Sequence, residues 1–491
     1  MTLIRIHPSD NVAVALKPLS AGQKVDLPWG SGLTLIDDIP ASHKVALADF
    51  KVDDPVIRYG QTIGLAAEAT AKGSWLYSHN LREPKLKSAK AQGAGLPPQI
   101  EGLKAPDTFL GYTRPIGPAG TRNHLLILPT VACAVGVARA VGRAVPGATV
   151  VEHPYGCGRG GVDLERTLRV LLGCGRHPNV GAVLIIGLGC EILSGTFLLE
   201  PLKESKKPVE FVEIQKHGGS RKTTTMCIEL AQKLLAQIKS QKRAPQPVAD
   251  LMLGLQCGGS DALSGVTANP AVGRVSDWLS ANGGTVILAE TTELIGTQHL
   301  LQARAMTQDI ADDIGRIIQK NRNISRTMLG ENAHLAVAPG NMDGGLSTIM
   351  EKSLGCINKG GGGIINEVIE YGETPTKNGL VIMDTPGYDV ESLGGLVAAG
   401  CQAIFFTTGR GTPVGAPLSP VIKVASNSTL AKSMADDMDL NAGLITDGKA
   451  SLSQMGQILL TTLIEVAEGK PTCAEVNDQG ILALSMTMEA L

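Results

Sequence analysis

Polar side chains with catalytic or binding chemistry follow short apolar runs at several points of this 491-residue chain, with glycines beside them. In open α/β sheets, ligands bind in loops at the carboxyl ends of strands. A single glycine-bearing loop is more often an ordinary turn, but so many of them predict one convergent polar pocket. The loops with the most informative residues are Gly120–Asn123, His153–Cys157, Gly187–Glu191, Gln256–Asp261, Thr267–Pro270, Glu290–Glu293, Pro339–Asn341 and Gly409–Pro413.

Two arginines in these loops could bind a carboxylate. Arg122 and Arg410 each carry a planar guanidinium that can donate two parallel hydrogen bonds, although a solvent-facing salt bridge is the alternative for each. Small polar side chains nearby could bind hydroxyl groups, so the pocket would suit a small polyhydroxy carboxylate. The candidates for hydroxyl binding are Asn123, Ser260, Asp261, Asn269, Asn341 and Thr412.

Acid–base candidates stand at the end of a predicted strand. Glu290 or Glu293 could transfer a proton, with Lys423 as the partner. Burial and a nearby metal cation could lower the pKa of this lysine toward neutrality, whereas a carboxylate partner would oppose that shift. The division of acid and base roles among the three residues stays open.

Histidines and cysteines provide two sets of candidate metal ligands. His7, Asp10 and His43 could form a facial site for iron(II) or manganese, although backbone hydrogen bonds are the alternative role of the histidines. Four cysteines could ligate iron or approach the substrate as thiolates, or be small apolar residues beside tight turns. The chain has no C-x-x-C spacing, which disfavours an iron–sulfur cluster. The four are Cys133, Cys157, Cys190 and Cys257.

The elements that must position these residues change character along the chain. Apolar residues make up 43%, aromatic residues only 3%, and 59 residues are glycine, which is typical of α/β layers. Short β-type runs predict an all-β module at 1–82, and a polar Gly/Pro/Lys-rich stretch predicts a linker at 83–107. From there apolar strands alternate with helical patterns, which predicts α/β lobes at 108–255 and 256–491 with mostly parallel sheets.

Charge and composition argue against several classes of partner. The 44 basic and 46 acidic residues give a net charge of −2, so we expect no nucleic-acid or membrane partner. The chain lacks the ~18 consecutive apolar residues of a membrane helix and a signal-peptide pattern. No G-x-G-x-x-G opens a helix with an acidic residue about twenty positions further on, so we expect no nucleotide cofactor. Nine dispersed cysteines indicate a reducing compartment, and the cytoplasm fits best. Separately, we expect the protein to be a homo-oligomer.

Several of these loops carry a recognisable signature. The chain resembles the altronate/galactarate dehydratase family in the same order and over essentially its full length. The segments Ile6–Ala13 and Ser42–Leu47 are similar to that family's SAF (antifreeze-like) domain, a β-clip-like module. The other segments that carry the resemblance are Gly120–Asn123, Leu128–Val131, Tyr155–Cys157, Leu188–Glu191, Leu255–Pro270 and Thr408–Pro413.

The resemblance implies a metal-dependent lyase, with iron or manganese as the divalent metal. Such an enzyme would remove water from a 2,3-dihydroxy acid by β-elimination and release a 2-keto-3-deoxy acid. Signatures within the family conflict: Gly265–Gly273 resembles galactarate dehydratases, Lys352–Cys356 and Cys401 resemble altronate dehydratases, and Asp384–Asp389 resembles sulfolactate sulfo-lyases. Elimination of sulfite from sulfolactate and non-catalytic binding of a sugar acid are the two alternatives.

Overall fold

A computed structural model describes residues 2–330, 333 and 338–487. The N-terminal module consists of antiparallel strands in three small sheets, ordered β1-β2-β5-β8, β6-β7-β9 and β3-β4. This confirms the predicted all-β class of the module. Its strands are β1 Leu3–Ile4, β2 Val12–Ala15, β3 Lys24–Leu27, β4 Gly30–Thr34, β5 Lys44–Ala46, β6 Pro55–Arg58, β7 Gln61–Ala66, β8 Trp75–Leu76 and β9 Leu81–Arg82.

The second part of the chain forms a parallel four-stranded sheet with helices on both faces. Its strand order is β12-β11-β13-β14, and the buried apolar strands β11 and β13 form its centre. Two further strands, β10 and β15, pair antiparallel beside it. The elements are β10 Thr108–Gly111, β11 His124–Pro129, α1 Val135–Ala144, β12 Ala148–Val150, α2 Gly161–Arg176, β13 Val180–Gly187, α3 Thr196–Lys203, β14 Val209–Glu213, α4 Ser220–Lys239 and β15 Ala244–Pro247.

The C-terminal part is built on a seven-stranded, all-parallel sheet ordered β18-β19-β17-β16-β20-β21-β22. With the preceding sheet it confirms the predicted α/β class. Its strands are β16 Met252–Cys257, β17 Thr285–Leu288, β18 Ile365–Ile369, β19 Gly379–Met383, β20 Ala403–Thr408, β21 Val421–Ala425 and β22 Leu440–Asn441. Its helices are α5 Ala268–Ala281, α6 Gln298–Ala303, α7 Gln308–Leu329, α8 Pro339–Asp343, α9 Ile349–Cys356, α10 Asp389–Ala399, α11 Ser428–Ser433, α12 Leu452–Ala467 and α13 Cys473–Val476.

One boundary differs in detail from the sequence pattern. Strand β16 spans the predicted division between residues 255 and 256 and belongs to the seven-stranded sheet. Helix α7 is separate from α6, because Thr307 caps a new helix by accepting a hydrogen bond from Ile310 N. No helix of the described residues is both long and apolar enough to cross a membrane.

The predicted linker, residues 83–107, lies along the C-terminal part without forming helix or strand. Leu96 N donates to the carbonyl oxygen of Gly362 at 2.8 Å, and Gln99 N donates to Asp277 Oδ2 at 2.9 Å. Asp277 also accepts a hydrogen bond from Gly362 N at 2.8 Å. The segment is therefore held to the lobe by hydrogen bonds of its own backbone.

A buried ion triad joins the N-terminal module to helix α9. Glu351 of this helix is paired with Lys44 at 2.9 Å and with Arg58, and all three side chains are at most 1% exposed. Burial alone would raise the pKa of Glu351, but the two cations outweigh it and lower the pKa to about 2. Tyr59 follows Arg58, and its hydroxyl lies so close to Gly265 that a Cβ there would be 2.4 Å away.

Replacing the shared carboxylate should destabilise the fold strongly. Glu351→Gln leaves two buried cations without a counter-charge, so we expect the free energy of unfolding to fall by about 3–5 kcal/mol. Denaturant titration followed by circular dichroism measures this change.

The matched control is Asp53→Asn, which breaks the surface ion pair with Arg82, where the side chains are 61% and 47% exposed. This variant should change stability by no more than about 1 kcal/mol. A loss in Glu351→Gln as small as that in the control would show that the triad does not stabilise the fold.

Candidate active site

Two glutamates follow strand β17 and turn toward the end of the neighbouring strand β16. Glu290 has left-handed backbone dihedrals (φ 67°, ψ 62°), which are strained for a residue with a side chain and favour a functional role. Its backbone N–H donates to Thr385 Oγ1 at 2.7 Å, which ties this turn to the end of β19. The next turn of chain brings Glu293 to the same place.

The glutamates meet two cysteines in a buried cluster, formed by Cys257, Glu290, Glu293 and Cys356. One ligand atom from each of the four lies within 4.8 Å of the others. Cys257 Sγ is 2.6 Å and Cys356 Sγ 3.1 Å from Glu293 Oε2, and the two sulfurs are 3.8 Å apart. The Cys257 backbone N–H donates to Glu290 Oε2 at 2.7 Å.

Two buried lysines compensate the charge of the carboxylates. Lys359 Nζ lies 2.9 Å from Glu290 Oε2, and Lys352 is ion-paired with Glu293. Gln256 Nε2 donates to Glu290 Oε1 at 2.7 Å. Removed from water, such charges are tolerated only when paired and hydrogen-bonded.

The environment drives the pKa values of the two carboxyls apart. Burial and the neighbouring Glu293 raise the pKa of Glu290 to about 8, against the opposing effect of Lys359. Burial would also raise the pKa of Glu293, but Lys352 and Lys359 outweigh it and lower this pKa. Near neutral pH, Glu290 can therefore hold a proton while Glu293 stays ionised, the division of states that acid–base chemistry requires.

A third carboxyl borders the cluster at the start of helix α10. Burial and the charge of Glu293 raise the pKa of Asp389 to about 6, although Lys352 and Lys359 oppose this. A Cβ built on Gly258 would be 3.3 Å from the Asp389 carboxylate, so the loop after β16 passes directly beside it.

The donor set fits a divalent metal. Two carboxylates and two cysteines offer both hard and soft ligands. Burial, followed by the neighbouring Cys356, raises the pKa of the Cys257 thiol, and a cation among these donors would reverse that effect by binding the thiolate. Gln256 Oε1 beside the cluster is a buried acceptor that has no hydrogen-bond partner within the described residues.

An open cleft of about 500 Å³ is lined by the loop that follows Cys257 of the cluster. It lies where the loops after β16 and β20 separate, the point at which the strand order of the sheet reverses. Two predicted substrate-binding residues, Asp261 and Arg410, line it together with Asn427 and Ser42 of the N-terminal module. Ser260, with its hydroxyl 3.9 Å from Cys257 Sγ, links the cleft to the cluster.

Other predicted polar residues support these loops. Asn341 Oδ1 accepts from Ser260 N at 2.8 Å. Asn269 donates to the Gly355 carbonyl at 3.0 Å and accepts from Thr407 at 2.7 Å. Thr412 is buried. These contacts position the backbone around the cluster.

Three predicted site residues lie elsewhere. Arg122 forms a two-pronged ion pair with Glu475 at 2.7 and 2.8 Å, and Asn123 accepts from Arg114 at 2.8 Å. Lys423 donates to the Pro413 carbonyl at 2.7 Å and to Gln479 at 3.0 Å. The lysines that meet the glutamates are therefore Lys352 and Lys359, and Lys423 binds neutral acceptors.

The predicted histidine site is not gathered into one group. Among the described residues, His7, Asp10 and His43 do not form a set of three ligand atoms within 4.8 Å of one another. His7 is bonded to Ser9 at 2.7 Å, Asp10 accepts from backbone N–H groups, and His43 Nδ1 accepts from Trp75 Nε1 at 3.1 Å. Three predicted cysteines, Cys133, Cys157 and Cys190, are exposed on the second part of the chain.

The sequence pattern missed one residue of the cluster and the two lysines that are paired with its glutamates. Lys352, Cys356 and Lys359 recur at intervals of four and three, which puts them on one face of α9 and the 3-10 turn that follows it. That spacing was the available signal.

Three family profiles match the chain in order. They are the altronate/galactarate dehydratase SAF domain over residues 1–84, the D-galactarate dehydratase/altronate hydrolase second domain over 111–239, and the D-galactarate/altronate dehydratase C-terminal domain over 248–489. This chain belongs to the altronate/galactarate dehydratase family. Membership confirms the resemblance and the prediction that the protein is an enzyme of the lyase class that contains dehydratases.

Named relatives align with three quarters or more of the chain. The altronate dehydratase of Bacillus subtilis is 36% identical over 98% of this chain and 98% of its own. The galactarate dehydratase (L-threo-forming) of Escherichia coli is 36% identical over 95% of this chain and 93% of its own. The (2R)-sulfolactate sulfo-lyase subunit beta of Chromohalobacter salexigens is 34% identical over 75% of this chain and 94% of its own.

The ion pair between Lys359 and Glu290 should be strongly coupled. At about pH 9, above the pKa of about 8 of Glu290, Lys359→Met leaves a buried carboxylate without its cation, and we expect the free energy of unfolding measured there to fall by about 3–5 kcal/mol. The double variant Lys359→Met/Glu290→Gln removes both charges and should lose clearly less than the sum of the two single losses. Denaturant titrations of the four proteins give the coupling energy, and additive losses would contradict the pairing.

Proposed function

We propose that this protein dehydrates a sugar acid of the altronate or galactarate type by β-elimination of water, releasing a 2-keto-3-deoxy acid. The observation that carries the proposal is the pairing of Glu290 and Glu293, two buried carboxyls with pKa values shifted in opposite directions. The relatives named altronate and galactarate dehydratase support the substrate class.

The elimination needs a base for the proton beside the carboxylate and an acid for the departing hydroxide. Glu293 stays ionised beside Lys352 and is suited to accept the proton. Glu290, with a pKa of about 8, holds a proton that it can give to the leaving hydroxyl. Lys359 stabilises the negative charge that remains on Glu290 afterwards.

A divalent metal would be held by Cys257, Glu290, Glu293 and Cys356, the donor cluster of the C-terminal sheet. Bound there, it would supply positive charge that stabilises an enolate without a proton transfer. The two thiolates favour iron(II) over manganese, because sulfur is a soft ligand. A glutamate that ligates the metal through one carboxylate oxygen could still exchange a proton through its other oxygen.

The cleft beside the cluster is suited to hold the rest of the substrate. Arg410 is exposed at its wall and can pair with a carboxylate, whereas Asp261 and Asn427 can bind hydroxyls. Asp261 already accepts hydrogen bonds from Ser264, Ser426 and Asn427, which hold its carboxylate in place. All nine cysteines are free, which supports a reducing compartment such as the cytoplasm.

A substrate panel tests the reaction. Protein stripped with a chelator and reloaded with iron(II) or manganese is offered altronate, galactarate and sulfolactate, and the release of 2-keto acid and of sulfite is measured. We expect 2-keto acid from altronate or galactarate, no activity before reloading, and a rate about 10²–10⁴-fold lower in Glu290→Gln.

The control for this panel is Glu200→Gln, which changes an exposed glutamate that is ion-paired with Lys203 and should keep the full rate. Sulfite release without any keto sugar acid would favour the sulfolactate reaction. An unchanged rate in Glu290→Gln would remove this carboxyl from the mechanism.

Arg410 should affect substrate binding more than turnover. Arg410→Ala loses a charge-assisted pair worth about 1.5–3 kcal/mol, so KM for the acid should rise about 10–100-fold with a smaller change in kcat. Arg316→Ala, which removes an arginine that is 53% exposed, is the matched control. An unchanged KM together with an unchanged kcat would place Arg410 outside the binding site.

A further inference from the structure

The three exposed cysteines of the protein all lie in its second part. Cys133, Cys157 and Cys190 are exposed, whereas the other six cysteines are buried or only partly exposed. Each follows a different parallel strand of one sheet: Cys133 comes after β11, Cys157 after β12 and Cys190 after β13. Because parallel strands end at the same edge of their sheet, the three loops lie side by side.

Direct contacts hold these loops together. Ala132 N, next to Cys133, donates to the Tyr155 carbonyl at 3.0 Å. Leu193 N donates at 3.2 Å to the carbonyl of Gly156, next to Cys157. Thr130 Oγ1 donates to Glu191 Oε1, next to Cys190, at 2.6 Å. Every pair of cysteine loops therefore shares a hydrogen bond.

The backbone around the cysteines is shaped for close approach. Gly156 has a φ of 102°, and a Cβ there would lie 2.1 Å from the Thr130 carbonyl oxygen. Only glycine lets the Cys157 loop pack against the loop that carries Cys133. Glu191 also accepts from Leu188 N and Gly189 N, so its carboxylate holds the Cys190 loop in a fixed turn.

The site occupies the position where such sheets bind ligands. In the sheet order β12-β11-β13-β14, β12 lies on one side of β11. After β12 the chain crosses to the other side of β11, where it forms β13 and then β14. The crevice between the carboxyl ends of β11 and β13 is thus a topological switch point. Cys133 and Cys190 come from the two loops that border it.

We propose that Cys133, Cys157 and Cys190 bind a polynuclear iron–sulfur cluster. The three thiols come from loops that are hydrogen-bonded to one another in every pairing, and a cluster ligated by several thiolates can join such loops across a wider gap than a single ion can. Three protein thiolates leave one position of a four-iron cluster open to solvent or to an oxygen ligand. This site is separate from the Cys257 cluster, and it requires no assumption about the reaction.

Acid-labile sulfide distinguishes this site from a mononuclear metal. The full-length protein is purified without oxygen and reconstituted with iron(II) and sulfide, and labile sulfide and visible absorption are then measured. We expect about four sulfides per chain in the wild type. Cys133→Ser, Cys157→Ser and Cys190→Ser should each lose the sulfide to background, and because these residues are exposed each variant should melt at the same temperature as the cluster-free wild type.

Two cysteine variants serve as controls. Cys473→Ser changes a cysteine outside both sites, and Cys257→Ser changes the C-terminal cluster; both should retain the wild-type sulfide content. Absence of labile sulfide in the wild type, iron without sulfide, or retention of sulfide in any of the three serine variants would each overturn the assignment. Because the readout is sulfide content, failure of the dehydration assay leaves this result interpretable.

Discussion

Complete removal of two carboxylates from water is the constraint on which the C-terminal part depends. Glu290 and Glu293 are at most 3% exposed. A buried charge is stable only beside an opposite charge with good hydrogen-bond geometry. Lys352 and Lys359 supply these opposite charges. Helix α9 carries Lys352 and the 3-10 turn after it carries Lys359, so these two elements place both lysines beside the glutamates.

The same helix carries the attachment of the N-terminal module. Glu351 precedes Lys352 by one residue and turns to the opposite side, toward Lys44 and Arg58. One short helix therefore compensates the charge of the carboxylates on one face and receives the module on another. The position of the SAF domain and the electrostatics of the cluster are consequently linked through a single rigid element.

Sequence reasoning succeeded where residues near in the chain act together. Alternation of apolar strands and helical patterns gave the α/β class, and turn residues delimited the β module. Glu290 and Glu293 were identified because they lie shortly after the end of a strand, and Cys257 because it lies in a segment that resembles the family. The partners of these residues were harder to find, because they are distant in the sequence. Tertiary packing brings Lys359 to Glu290 across 69 positions of the chain and Cys356 to Cys257 across 99.

Arg122 and Lys423 show the converse difficulty. Both are cationic side chains suited to binding an anion, but both interact with other parts of the protein instead. Arg122 is ion-paired with Glu475, and Lys423 donates hydrogen bonds to backbone carbonyl oxygens. Whether a cation faces a cleft or braces a loop depends on neighbours that are distant in sequence. Residue type therefore indicated which chemical role a side chain could have, but it did not indicate whether that side chain lies at the site.

The segment between the module and the lobes has a mechanical role that its composition conceals. Asp277 accepts hydrogen bonds from both Gln99 of this segment and Gly362, three residues beyond Lys359. At Gly95 a Cβ would lie 2.8 Å from the Gly362 carbonyl oxygen. This segment therefore supports the turn that carries Lys359. A change in the length of the segment would move the Lys359 ammonium group relative to Glu290, in addition to changing the distance that the segment can span.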